Sequence, residues 1–202
     1  MLLKTIFLLL IAFTINAQSA ESIIQRIQTK FSTVEDLKAD FIQKMNSPSA
    51  DNTLTLSGKF YFKKEDKLRI EVQNRIIISD GITVWNIDES NNKVIISLYD
   101  VDYTTFSLPT IINAYPDLCD KELISDESGT TMIKLVPTED QLSFKSAIIS
   151  VDRNDNIEKV EITDFNGMQF LFELESIKTN SDLSDQLFNY EPAEGVEVID
   201  LR

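Results

Sequence analysis

From Leu37 onward, apolar side chains fall on every second position, and this one-sided alternation restricts the fold more than any other feature of the chain. Leu37, Ala39, Phe41, Gln43 and Met45 share one parity, with Lys38, Asp40 and Lys44 on the other. Leu54, Leu56, Gly58, Phe60 and Phe62 alternate with Thr53, Thr55, Ser57, Lys59, Tyr61 and Lys63, and Leu68, Ile70 and Val72 with Lys67, Arg69 and Glu71. A period of two with one apolar face describes half-buried strands of an antiparallel sheet. Further strands are expected at 82–87, 94–98, 130–136, 144–152, 157–165, 168–175 and 196–201. Asp80-Gly81, between two β-branched runs, is expected to be a type I′ hairpin turn. Trp85, the one tryptophan, then lies on the returning strand with Ile87 on its face.

Helical signals are few. Ile23, Ile24, Ile27 and Phe31 recur at helical spacing, and Ser22 with Gln25 fits a capping box, which predicts a helix over roughly 20–31. Leu108 to Ala114 is expected as a short apolar helix with Ser107 as its cap and Pro109 in its first turn. A short helix is also expected within 183–188. A sheet of about nine to eleven strands must curl. The expected fold is therefore mainly β (α+β): one curved antiparallel sheet forming an unclosed barrel, with two or three short helices over its apolar concave side.

The first residues read as an address. Lys4 precedes an apolar run, Ile6 to Phe13, that is too short to span a bilayer, and Ala17 ends a cleavage site. Residues 1–17 are expected to be a secretory signal peptide, with a cut after Ala20 as the alternative, and residues 18–202 one domain of about 185 residues. A lone cysteine, Cys119, excludes an internal disulfide. The net charge of −14 argues against nucleic acid, which demands basic stripes.

The chain contains no histidine, which removes His-based triads and most zinc sites. Cys119 has no histidine partner to activate it. The Asp152–Asp155 turn matches a calcium loop only loosely, lacking its glycine and closing glutamate. No catalytic residue, metal or cofactor is expected.

An ordered set of segments carries a resemblance: LKADFIQ at 37–43, SGKFYFKKEDKLRIE at 57–71, IISDGITVWNID at 77–88, NKVIISLYD at 92–100 and YEPAEGVEVIDLR at 190–202. Together they resemble the periplasmic outer-membrane lipoprotein carrier family, LolA, in the form typical of Bacteroidetes-like sequences. The resemblance implies an unclosed barrel whose apolar interior takes the acyl chains of a lipoprotein and shuttles them from inner to outer membrane. It implies acylated lipoproteins, an ATP-driven inner-membrane release complex and an outer-membrane acceptor as partners, and no chemistry. On this reading the acyl cavity is lined by Phe41, Leu56, Phe60, Phe62, Leu68, Ile70 and Trp85. Ile23, Ile27, Phe31, Phe106, Ile111 and Ile112 form a lid, although the same residues would suit a permanent core. Family members carry an inward arginine, followed by proline, that latches the lid. Lys64 and Glu65 stand there, so Lys64 is the candidate latch, without the arginine's planar fork. A carrier of another lipid or amphiphile, or a sensor or scaffold of stray lipoprotein, fits the same half-barrel.

Overall fold

The computed structural model describes residues 19–49, 52–99, 108–127 and 130–202. The expected signal peptide, its junction at Gln18, the expected cap Ser107 and the lid candidate Phe106 lie outside the described residues.

Two meanders make one sheet. The first runs β1 (Asp36–Asn46), β2 (Leu54–Lys63), β3 (Lys67–Val72), β4 (Arg75–Asp80), β5 (Thr83–Asp88) and β6 (Lys93–Leu98). The second runs β7 (Cys119–Glu127), β8 (Thr130–Pro137), β9 (Phe144–Asp152), β10 (Ile157–Asp164) and β11 (Gln169–Thr179). β1 pairs antiparallel with β11 and joins the halves. β12 (Glu197–Asp200) adds to β6, in parallel, at one edge, and β7 forms the other, so the twelve-stranded sheet is not closed. The charge-rich β7 escaped sequence reading because Asp120, Glu122 and Asp126 leave too few apolar residues to show a period.

Gly58 marks a close approach of β2 and β3. A Cβ there would lie 2.0 Å from the backbone oxygen of Glu71 on β3, so only glycine allows this approach of the two strands. The Asp80 turn is built differently from the type I′ expectation. Gly81 alone of the pair takes positive φ, at 92°. The Asp80 carboxylate accepts from the backbone N–H of Ile82 and Thr83, at 2.8 and 2.7 Å, which shapes the turn without a left-handed Asp80.

The helix α1 (Ala20–Ser32) is capped by Ser19, whose Oγ accepts from the Ser22 N–H at 3.2 Å. The cap is thus Ser19 and not Ser22. Ile23, Ile24 and Ile27 bury against Ile133, Phe144, Ile149 and their neighbours on β8 and β9. A second helical stretch crosses the concave side between the meanders: a π turn at Thr110–Ala114 followed by a 3-10 turn at Tyr115–Leu118. Its irregularity follows from Pro116, which has no N–H to give to the Ile112 carbonyl four residues back. Tyr115 N–H instead reaches Thr110 O, five residues back, and Gln28 Nε2 of α1 donates to the Ile112 carbonyl at 3.1 Å.

The residues after β11 form an arm over the opposite, convex face. The buried Asp36 carboxylate accepts from the N–H groups of Ser181 and Leu183 at 2.7 and 3.1 Å. Lys63 and Lys67 pair with Asp185 at 2.9 and 3.3 Å, and Arg69 donates to Leu187 O. Beneath the arm, Ile78, Trp85, Ile87, Val94 and Ile96 form a second core, with Tyr190 and Val196 packed on it.

Candidate functional site

The two halves of the concave face are filled differently. Over β7–β10, α1 and the Leu108–Leu118 stretch complete a solid core. Over β1–β4 and β11, the described residues leave the concave face partly uncovered, and a cavity of about 340 Å³ opens there.

Strand register explains its walls. Phe60 sits opposite Ile70, and Ile70 opposite Ile77, so the three share a face. Phe41 and Gln43 from β1, Leu56 and Phe60 from β2, Ile70 and Val72 from β3, and Arg75 and Ile77 from β4 make one wall. Phe172 and Leu174 of β11 with Ile157 and Val160 of β10 make the other, and Leu108 and Ile111 border it from the helical stretch. Twelve of these fourteen residues are apolar; Gln43 and Arg75 are the exceptions. The volume lies near the low end of the range of about 300–1,000 Å³ found for small-molecule sites.

Of the residues read as cavity wall, Phe41, Leu56, Phe60 and Ile70 border this space. Phe62 and Leu68 share its face, but Phe62 is buried under α1, stacked on Phe31 with ring centroids 5.3 Å apart. Trp85 is on the wrong side. It sits opposite Ile78 and Ile96 in the convex core and is 8% exposed. The reason lies in β4, where Ile76, Ile77 and Ile78 make both faces apolar. Alternation identifies the inner face only where the outer face meets water, and the C-terminal arm covers the outer face here.

The lid candidates divide as well. Ile111 borders the cavity; Ile27, Phe31 and Ile112 line a smaller neighbouring space of about 100 Å³, which Leu108 also borders. Ile23 is wholly buried in the main core, away from both. Lys64 lies beyond the end of β2, in a turn with Glu65 and Asp66 at positive φ, so strand parity does not reach it. Its Nζ pairs at 2.5 Å with the exposed Glu35 and, among the described residues, makes no bond to a helix. The bond that links the two helical elements comes from Gln28 instead.

Other groups examined by sequence have local roles. Asp152 accepts from the N–H groups of Asn154 and Asn156 and from Asn156 Nδ2. Asp155 holds Arg26 of α1 through two bonds of 3.0 and 3.1 Å. Both carboxylates of the loose calcium-loop match are thus engaged in the turn and in its bolt to α1. Burial pushes the Cys119 thiol up to about 11, which leaves it protonated and inert near neutrality.

The wall residues that sequence reading passed over are Gln43, Val72, Arg75, Ile77, Leu108, Ile157, Val160, Phe172 and Leu174. Phe172 and Leu174 alternate in register with Gln43 and Phe41, a signal that becomes legible once β1 is known to pair with β11.

A curled open sheet that shelters an apolar cavity has the form of a fold suited to apolar ligands. The profile of the outer membrane lipoprotein carrier protein LolA family matches residues 32–191. An outer-membrane lipoprotein carrier protein of Haemophilus influenzae is 33% identical over 87% of this chain and 86% of its own. One from Francisella tularensis is 23% identical over 98% and 97%. An uncharacterized conserved protein of Thermus thermophilus shares the fold with a TM-score of 0.56 at 15% identity, covering 91% of this chain and 99% of its own. The chain belongs to the outer-membrane lipoprotein carrier family, LolA.

Proposed function

We propose that this protein is a periplasmic carrier that encloses the acyl chains of lipoproteins and takes them from the inner to the outer membrane. The observation that carries this reading is the apolar cavity under the Leu108–Leu118 stretch. Residues 1–17 are read as the signal peptide and 18–202 as the carrier domain. Cargo arrives from an ATP-driven release complex of the inner membrane and leaves to an acceptor of the outer membrane; the carrier catalyses no reaction.

The physics of the cargo sets the requirements. Each methylene kept from water is worth about 0.8 kcal/mol, so a 16-carbon chain costs on the order of 12 kcal/mol to expose. The carrier must enclose the chain and still release it. A closed empty state and an open loaded state of similar free energy satisfy both demands. The cavity in its present form is too small for several chains at once, so loading moves Leu108 and Ile111 outward. The irregular turns around Pro116, tied to α1 by Gln28, make this stretch the natural moving part. Phe41, Leu56, Phe60 and Ile70 serve as the fixed wall.

The test is transfer into water. Mature protein mixed with membranes bearing a triacylated lipoprotein and its release machinery should yield a soluble one-to-one complex. Phe60→Asp should abolish the complex, whereas Lys59→Asp, on the other face, should retain it, both with circular dichroism unchanged. Equal loss from both variants, or no soluble complex with the wild type, contradicts the carrier reading.

A further inference from the structure

A second, smaller space lies beside the cavity, and the two share a wall. Leu108, Ile157 and Leu174 border both the cavity of about 340 Å³ and the neighbouring space of about 100 Å³. Ile157 and Leu174 belong to β10 and β11. Leu108 comes instead from the helical stretch, whose Ile111 borders the larger space and whose Ile112 borders the smaller. Leu108 also packs against two cores, the main one under α1 and the Val34, Leu37 and Phe62 group at the end of that helix. It is a partition between the spaces, and of the three shared residues it alone is not anchored in the sheet.

The other walls of the small space are fixed. Phe31 of α1 stacks on Phe62, with ring centroids 5.3 Å apart. At the rim, Asp155 holds Arg26, Asn156 Nδ2 donates to Asp152 at 2.7 Å, and Asn180 Oδ1 accepts the Glu35 N–H at 2.8 Å. Ile27, Leu37 and Ile177 make the interior apolar. Close-packed interiors leave few voids larger than a water molecule, and this space is about three times the ~30 Å³ that one water occupies in the liquid. Its apolar lining forfeits packing contacts while the space is empty, and an apolar occupant restores them.

We infer that the small space is a compartment for a second acyl chain, and that Leu108 is the residue that admits it. The inference rests on the carrier reading and adds to it how cargo with more than one chain is accommodated. The first chain lies in the larger space, which buries more of it. When loading moves Leu108 outward, the two spaces join across Ile157 and Leu174. The second chain then enters the branch and ends against Phe31, Leu37 and Ile177. Each methylene that it buries there tightens binding about fourfold.

The test isolates the second chain. Two cysteinyl lipopeptides share a peptide and one palmitoyl ester, and differ in the second glyceryl ester, acetyl or octanoyl. Each is titrated against a fluorescent acyl reporter bound to the mature protein. Wild type should take the octanoyl form about fiftyfold more tightly, as about three of its methylenes enter the compartment. Ile177→Trp, which fills the compartment from β11, should cut that ratio below about tenfold. Leu108→Ala, which removes the partition, should raise it about threefold, because the joined state is then more populated. The readout is a ratio within one variant, so a general loss of affinity cancels. A wild-type ratio near one, or equal ratios in wild type and Ile177→Trp, overturns the compartment and leaves the carrier reading standing. If circular dichroism shows that Ile177→Trp does not fold, an unchanged ratio in Leu108→Ala overturns it equally. Binding of neither lipopeptide by the wild type overturns both.

Discussion

Trp85 and Phe60 show what a single residue's position on a strand does and does not reveal. Both lie on strands with regular alternation, yet they face opposite sides of the sheet. Phe60 was legible because its strand has lysines on the other parity. Trp85 was not, because β4 carries apolar residues toward the arm as well as toward the cavity. The placement changes what the indole reports. Acyl ligand at saturation should leave Trp85 emission unshifted, whereas Val196→Asp, which disrupts the covering arm, should shift it to the red as water reaches the ring. Steady-state fluorescence checks both; a large ligand-induced shift would mean that the cavity and the convex core are coupled through the sheet. Arg75 was invisible to sequence reading for a related reason. A charged residue at a hairpin end looks like an ordinary solvated turn until the register shows which face it shares.

At the scale of elements, α1 is held by polar bolts at both ends and by apolar packing between them. Arg26 grips Asp155, Lys30 donates to the Asn154 carbonyl, and Glu21 pairs with Lys121 at 3.1 Å. Gln28 reaches the helical stretch that borders the cavity. Gln28→Leu removes that bond and leaves the Ile112 carbonyl without a donor that Pro116 can replace. The closed state should lose about 1 kcal/mol. If the bond belongs to the closed state alone, acyl affinity should rise about fivefold, because the binding-competent fraction grows by that factor. Urea unfolding and ligand titration on the same variant test this: lower stability with unchanged affinity would place the contact in both states. The helix itself was readable from its isoleucine spacing, and its cap differed only because Ser19 precedes Ser22 with the same chemistry. The π turn was not readable, since it depends on how Pro116 is accommodated against α1.

For the whole molecule, the one-sided alternation of six or more strands led to the correct architecture, one unclosed sheet with a few short helices. The division of the concave face into a filled half and a hollow half was not in the sequence pattern. It follows from the β1–β11 pairing, which puts the helices over β7–β10 and, among the described residues, leaves β1–β4 with β11 partly uncovered. The same division separates the proposed lid into parts that move and parts that stay: Ile23 belongs to the permanent core, and Leu108 and Ile111 face the cavity. The convex core under the C-terminal arm also gathers large apolar groups, which is why hydrophobicity by itself does not point to the cavity.

The central claim is that acyl chains enter the concave cavity and nowhere else. A palmitate analogue with a photoreactive diazirine at the end of its chain, activated in complex with the mature protein and mapped by peptide mass spectrometry, tests it most directly. The account predicts adducts on cavity residues such as Phe60, Ile77, Ile111 and Phe172, lost when unlabelled palmitate competes. Competed adducts concentrated on Trp85, Tyr190 or Val196 would contradict it.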